Sequence, residues 1–159
     1  MIAAKNINNS NPGIKTIVAI WHISNKGKTA TIREFARLLI ATYPNYTPIV
    51  PLPAIIPPTG DFRLVVKING IIMGIESQGD PNTNLGRRLT DLADNFHCDI
   101  ILCSTRTKGD TIDAVDNLFY NRGFQTIWTS TYQVAGDQEL ANQIKARHIL
   151  DLVQTLGLI

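Results

Sequence analysis

The sequence has little or none of several features that mark specialised classes of protein. Only 2 of the 159 residues are cysteine, so a disulfide-rich secreted scaffold is not indicated. Fifteen basic and 13 acidic residues leave a net charge of +2 without a long basic run, so nucleic acid is not indicated as a ligand. No run approaches the ~18 apolar residues of a membrane helix, and the start of the chain has no signal-peptide pattern. We therefore expect a cytoplasmic protein without a membrane partner.

The two cysteines, Cys98 and Cys103, are predicted to flank or lie on one strand. At ~3.3 Å per residue they would be roughly 16 Å apart, which is too far for a disulfide. We expect them to be small buried side chains rather than a disulfide or a metal site.

What the sequence does contain is typical of one ordinary globular domain. A length of 159 residues suits a single domain, and 44% hydrophobic with 18% charged residues argue against a largely disordered chain. The Asn-rich residues 1–13 end at an Asn-Pro-Gly sequence and are interpreted as a flexible lead-in. Residues 14–159 are predicted to form the domain.

Strand-like and helix-like segments alternate along this domain. A continuous apolar run of β type lies at 16–21, and further β-rich runs lie at 62–68, 71–76, 99–104 and 125–129. Apolar residues recur with helical spacing over 27–41, 85–96, 112–119 and 140–156. Asn69-Gly70 between two β-type runs is a strong hairpin signal. The pattern predicts an α/β fold with three layers: a mostly parallel sheet with one antiparallel hairpin strand, and helices on both faces.

A proline-dense segment interrupts the alternation. Six of the eight prolines fall between Pro44 and Pro58, where a helix or a central strand is disfavoured. Interleaved apolar residues predict that the segment packs on the domain in an extended form.

The junction of the first strand and the first helix carries the clearest motif. It reads HISNKGKT over residues 22–29 and resembles the Walker A loop, G-x-x-x-x-G-K-[ST], of the P-loop NTPase superfamily. Gly27, Lys28 and Thr29 match, and His22 stands where the motif has its first glycine. The resemblance implies a P-loop NTPase-like domain whose nucleotide phosphates contact a set of eight residues: His22, Ser24, Asn25, Lys26, Gly27, Lys28, Thr29 and Ala30.

The chemistry of this loop follows from the start of a helix. Free N–H groups and the positive end of the helix dipole favour phosphate there. By the same resemblance, Lys28 would reach the β- and γ-phosphates as a catalytic cation, and the Thr29 hydroxyl would bind Mg²⁺.

A second resemblance follows the hairpin, where Glu76 and Gly79 form E-x-x-G. This segment is similar to the D-x-x-G segment of GTPases, which implies that Glu76 binds Mg²⁺ together with Thr29 and takes part in catalysis. Asp80, and then Asp61 and Thr59, are the next candidates for this acidic or hydroxyl role.

Two further side chains are candidates for catalysis. Gln78 could orient a hydrolytic water, and Arg106, just past a core strand, could stabilise charge on the transferring phosphoryl group. Arg87 and Arg88 are expected to lie on a solvated helix face.

The nucleotide and the reaction are left with alternatives. Thr129–Tyr132 lacks the N-K-x-D segment that reads guanine, so ATP, or another nucleoside triphosphate, is expected as the ligand with Mg²⁺. We predict hydrolysis of the nucleotide. The alternatives are a kinase, with an acceptor pocket at residues 107–110 and the proline segment, and a non-catalytic nucleotide-sensing module. A protein partner and a homodimer both stay open.

Overall fold

The computed structural model describes residues 14–23 and 26–159, so the predicted lead-in and two residues of the Walker A-like loop, Ser24 and Asn25, lie outside the described residues. Across the described residues the chain forms six strands and four helices. In order these are β1 (Thr16–Trp21), α1 (Lys28–Thr42), β2 (Thr47–Val50), β3 (Arg63–Ile68), β4 (Ile71–Glu76), α2 (Leu85–Asp94), β5 (Ile100–Thr105), α3 (Asp110–Arg122), β6 (Gln125–Thr129) and α4 (Gln138–Thr155).

The strands form one sheet in the order β2-β3-β4-β5-β1-β6. Strands β4, β5, β1 and β6 are parallel, whereas β3 is antiparallel to both of its neighbours. The β3–β4 hairpin turns at Asn69 and Gly70, both of which have positive φ (50° and 82°). The prediction of a mostly parallel α/β sheet with one antiparallel strand is confirmed.

Hydrophobic clusters cover both faces of the sheet. Val18 and Ile20 of β1 pack in the cluster that contains α1 and α4 residues, whereas Ile17 and Ala19 pack in the cluster that contains α2 and α3 residues. Successive side chains of a strand point to opposite faces, so one apolar strand supplies both clusters. The arrangement is compatible with three layers.

The same alternation decides where the end of β4 presents its side chains. Ile75 belongs to the α1/α4 cluster, and Ile72 packs against the α2/α3 cluster. Glu76 therefore points toward α2, and the next residue, Ser77, points toward α1.

The structure adds one strand that the sequence did not predict. β2 lies within the proline-dense segment, pairs with β3 at one edge of the sheet, and shifts register between Pro48 and Val50. An edge strand needs backbone hydrogen bonds on one side only, so it tolerates a proline that a central strand would not.

The cysteines lie as predicted. Cys98 and Cys103 are buried free thiols, and burial raises the pKa of Cys98 to about 12. Within the described residues, none of the helices has the length and apolar character that crossing a membrane would require.

Candidate functional site

The first turn of α1 and the two residues before it border a cavity. Gly27, just before α1, has a φ of +77°, which favours glycine. A Cβ at this position would also lie 2.9 Å from Oδ1 of the buried Asn142 of α4. Gly27 gives α1 no side-chain cap, and the first turn of α1 has no acidic residue. The backbone N–H groups there are left for another acceptor.

The Lys28 ammonium is held by backbone carbonyls. Its Nζ donates to the carbonyl oxygens of His22 and Thr105, each at 2.7 Å, and the residue is only 8% exposed. Burial, followed by the charge of Arg106, lowers the pKa of Lys28 to about 8, while Asp80 opposes the shift. Among the described residues, no carboxylate forms an ion pair with Lys28.

A polar cavity of about 420 Å³, here called the phosphate cleft, opens beside this lysine. Three further segments also line this cavity: the end of the loop before β3, the loop after β4, and the end of β5. Its residues are Lys26, Gly27, Lys28, Thr29, Ala30, Asp61, Ser77, Gly79, Asp80, Ser104 and Arg106. The structure thus brings together Arg106 and the five described residues 26–30 that the sequence singled out.

Oxygen atoms from three segments are joined by hydrogen bonds in the lining of the phosphate cleft. Asp61 Oδ1 accepts hydrogen bonds from Thr29 Oγ1 at 3.2 Å and from Ser77 Oγ at 3.1 Å. Ser77 Oγ also accepts from the Phe62 N–H at 2.8 Å, which fixes the hydroxyl. In the described part of the chain, no three His, Cys, Asp or Glu side chains gather as a metal-binding group. Thr29 and Asp61 nevertheless supply the oxygen ligands that Mg²⁺ prefers.

Arg106 and Asp80 face each other across the phosphate cleft. The Arg106 guanidinium donates to Asp80 Oδ1 from Nη2 at 2.8 Å and from Nε at 3.2 Å. Gly79, beside Asp80, lies so close to β5 that a Cβ would be 2.0 Å from the Ser104 carbonyl oxygen. Only glycine fits at this contact, which holds the loop after β4 against β5.

Glu76 lies elsewhere, contrary to the prediction that it joins Thr29 on a metal ion. It is 4% exposed, and its two carboxylate oxygens are 2.7 Å from Arg63 Nε and 2.8 Å from Arg88 Nη1. Both oxygens are therefore engaged on the α2 side of the sheet, which is the face that strand alternation gives to this position. Arg88, expected on a solvated face, is a partner of this buried carboxylate.

Glu76 lines a second and larger cavity, here called the arginine cavity. Its volume is about 700 Å³, and its lining residues are Asp61, Phe62, Arg63, Glu76, Gln78, Arg87, Arg88, Thr90, Asp91 and Asn95. Arg63 also pairs with Asp91 at 2.5 Å. Although burial opposes it, hydrogen bonds to Asp91 and Glu76 raise the pKa of Arg63.

The remaining candidates do not line the phosphate cleft. Gln78 lines the arginine cavity, and its carbonyl accepts from Arg88 at 2.9 Å. The His22 ring stacks on Trp21, and its Nδ1 accepts from the Ile23 N–H at 2.9 Å, so this residue contributes to the site through its carbonyl. Thr59 is exposed on the segment before β3.

Sequence reasoning missed the support behind the Walker A-like loop. Asn142 Oδ1 accepts from Gln138 Nε2 at 2.9 Å and from Thr31 Oγ1 at 3.4 Å, while it packs against Gly27. Gln133 Nε2 donates to the Lys26 carbonyl at 2.7 Å. The contacts of Asn142 with Gly27 and Thr31, and of Gln133 with Lys26, each span more than 100 residues, so no local spacing in the sequence marks them.

Comparison of the chain with protein-family models, curated proteins and solved structures finds no match. The geometry and chemistry of the two cavities are therefore the basis on which function is inferred.

Proposed function

We propose that this protein binds the phosphate chain of a nucleoside triphosphate, with ATP as the expected nucleotide, in the phosphate cleft, and that its domain is P-loop NTPase-like. The observation that carries the proposal is the buried Lys28 ammonium. It has two backbone carbonyls and no ion-paired carboxylate as partners, next to the uncapped start of α1.

The electrostatics of the phosphate cleft favour a polyanion. Lys28 and Arg106 supply two cations, and the first turn of α1 adds N–H donors and the positive end of its dipole. Burial penalises the ammonium, as its lowered pKa indicates, and an anionic ligand would offset that penalty. A bound phosphate chain therefore gains attraction to Lys28 and relieves an existing cost.

The oxygen atoms that Thr29 and Asp61 supply in the phosphate cleft fit Mg²⁺. Thr29 Oγ1 and Asp61 are within hydrogen-bond distance of each other, and both are oxygen ligands. When bound, Mg²⁺ would supply neutralisation of charge on the phosphate oxygens. Asp61 takes the acidic role here in place of Glu76, because both oxygens of Glu76 are engaged by arginines.

For catalysis we propose hydrolysis, in which water attacks the γ-phosphorus and the bond to the β-phosphate oxygen breaks. Charge spreads over the transferring oxygens in that transition state. Lys28 and Arg106, two of the three basic residues that line the phosphate cleft with Lys26, can stabilise it. Gln78 lies in the arginine cavity, so its predicted contact with water would require a movement of the loop after β4.

One observation favours phosphoryl transfer as a second candidate. Asp61 lines both cavities, so an acceptor in the arginine cavity would lie beside a terminal phosphate in the phosphate cleft. This cavity, rather than residues 107–110 and the proline segment, is where we would place an acceptor.

Unfolding and turnover measurements distinguish these functions. We expect Mg-ATP at 100 times its Kd to stabilise the protein by about 2.7 kcal/mol, and Lys28→Ala to reduce that gain to between about 0.4 and 1.4 kcal/mol at the same ATP concentration. Phosphate release without an acceptor supports hydrolysis, and acceptor-dependent ADP formation supports a kinase. Stabilisation without turnover would leave a nucleotide sensor. If neither ATP nor GTP changes stability, the proposed function is wrong.

A further inference from the structure

The ion pair between Asp80 and Arg106 is exposed to solvent and borders the phosphate cleft. Both side chains line the cleft, and the Arg106 guanidinium directs two N–H groups to one Asp80 oxygen, at 2.8 Å and 3.2 Å. Both residues also act electrostatically on Lys28, in opposite directions. Asp80 therefore brings a negative charge into the site where the proposed ligand needs positive charge.

This arrangement creates a competition for one guanidinium. A phosphate oxygen and a carboxylate oxygen are equivalent acceptors for the Arg106 N–H groups. Among the described residues the Lys28 ammonium donates to two carbonyl oxygens and has no ion pair, so it is available to phosphate without loss of one. Asp80 occupies the Nε and Nη2 edge of the guanidinium, so a phosphate oxygen can take that edge only when Asp80 leaves it.

We propose that Asp80 is a stand-in for a terminal phosphate, and that a nucleoside triphosphate exchanges places with it on Arg106 whereas a diphosphate does not. This inference rests on the proposed function. It makes Asp80 a specificity-determining residue, because its carboxylate offsets part of the affinity that the third phosphate contributes.

Chain length explains why the exchange selects the triphosphate. Phosphates held at the start of α1 and at Lys28 present a third phosphate to Arg106 as an intramolecular partner, at a high effective concentration. We expect a diphosphate anchored in the same way, which is one phosphate shorter, to leave the pair between Arg106 and Asp80 intact.

The surroundings of Asp80 allow its side chain to leave without unfolding the loop. Its side chain is 54% exposed, whereas Gly79 is fixed against Ser104. On the other side, the Asn82 N–H donates to Asp110 Oδ2 at 3.1 Å. The exchange is therefore a movement of one exposed side chain between two backbone anchors.

The test compares ATP and ADP affinity, each measured with Mg²⁺ and again with EDTA, in wild type and Asp80→Asn. We expect ATP to bind about two- to fivefold more tightly to Asp80→Asn, since an exposed ion pair has this worth, and ADP affinity to stay within the error of the measurement. Asp151→Asn, which changes net charge equally on an exposed position of α4, should change neither affinity.

A second variant tests whether the effect passes through Arg106. In an Arg106→Gln background, Asp80→Asn should have no further effect on ATP affinity.

An unchanged or weaker ATP affinity in Asp80→Asn overturns the inference. A loss of ATP affinity that is seen only with Mg²⁺ would make Asp80 a metal ligand. Equal gains for ATP and ADP also overturn it. If wild type binds ATP but Asp80→Asn gains nothing, this inference fails and the proposed function stands. If neither wild type nor Asp80→Asn binds either nucleotide, both fail.

Discussion

The phosphate cleft and the arginine cavity share Asp61 and the same edge of the sheet, yet their charges are arranged in opposite ways. In the arginine cavity, Glu76 is bound by Arg63 and Arg88, so its charge is compensated within the protein. In the phosphate cleft, the partners of Lys28 within residues 14–23 and 26–159 are two backbone carbonyls.

These two arrangements show which buried charges indicate that a ligand binds. A buried acid with two arginines holds together the elements that carry them, and each of its oxygens already has a cationic partner. A buried ammonium without a counter-ion retains an unfavourable solvation cost that an anion can offset. The functional proposal therefore follows the uncompensated lysine rather than the most deeply buried carboxylate.

The largest expected effect concerns the stability that the buried, paired Glu76 provides. Glu76→Gln should leave Arg63 and Arg88 without their shared counter-ion and lower the free energy of unfolding by about 3 kcal/mol, measured by urea denaturation. Glu34→Gln, which removes an exposed i,i+3 pair with Arg37, should cost less than about 0.5 kcal/mol. Unchanged stability combined with lost Mg²⁺-dependent turnover would restore Glu76 as a metal ligand.

Lys28→Ala tests the ligand side. Loss of one charge-assisted contact to phosphate should weaken ATP binding by about 10- to 100-fold, measured by titration calorimetry. Lys67→Ala, which removes an exposed lysine of β3, should leave the affinity unchanged. Equal ATP affinity in Lys28→Ala and wild type would contradict the assignment.

The pH dependence of binding follows from the pKa of Lys28, which is about 8 in the free protein. The ammonium attracts phosphate and the neutral amine does not, so affinity should be highest below pH 8 and fall as the pH rises. Binding raises the pKa of this lysine, and the protein should take up a proton on binding above pH 8. Between pH 7 and pH 9 we expect ATP affinity to fall roughly tenfold. Lys28→Ala should lack this slope, and a wild type that shows no slope would be inconsistent with a lysine–phosphate contact.

The smallest of these effects concerns the metal. Thr29→Val keeps the shape of the side chain but removes the hydroxyl, so the gain in ATP affinity on adding Mg²⁺ should shrink by about fivefold. Affinity in EDTA should stay the same. Thr90→Val, in the arginine cavity, is the matched control and should behave as wild type. A Thr29→Val protein with the full Mg²⁺ effect would exclude this hydroxyl from the metal site.

The elements that could be predicted from the sequence are those with local signals. The Asn69-Gly70 turn fixes the register of β3 on β4, and the observed pairing of Arg63 with Glu76 has the register that counting back from the turn predicts. The buried run of β1 and the helical spacing of α1 placed Lys28 correctly at their junction.

The position of Glu76, away from the phosphate cleft, could not be predicted from local signals. Alternation shows that Glu76 and Ser77 point to opposite faces, but the sequence does not reveal which face of the sheet α1 covers. The arginines that engage Glu76 come from β3 and α2, and their approach depends on how α2 packs. For the same reason, the role of Asn142 behind Gly27 emerges only when α4 is in place.

Phosphate binding at Lys28 and the start of α1 is tested most directly by a crystal structure of the protein with Mg²⁺ and a non-hydrolysable ATP analogue. We expect phosphate oxygens within hydrogen-bond distance of Lys28 Nζ and of the first backbone N–H groups of α1. An analogue bound only in the arginine cavity, or a phosphate cleft without ligand in which Lys28 keeps the His22 and Thr105 carbonyls, would contradict this expectation.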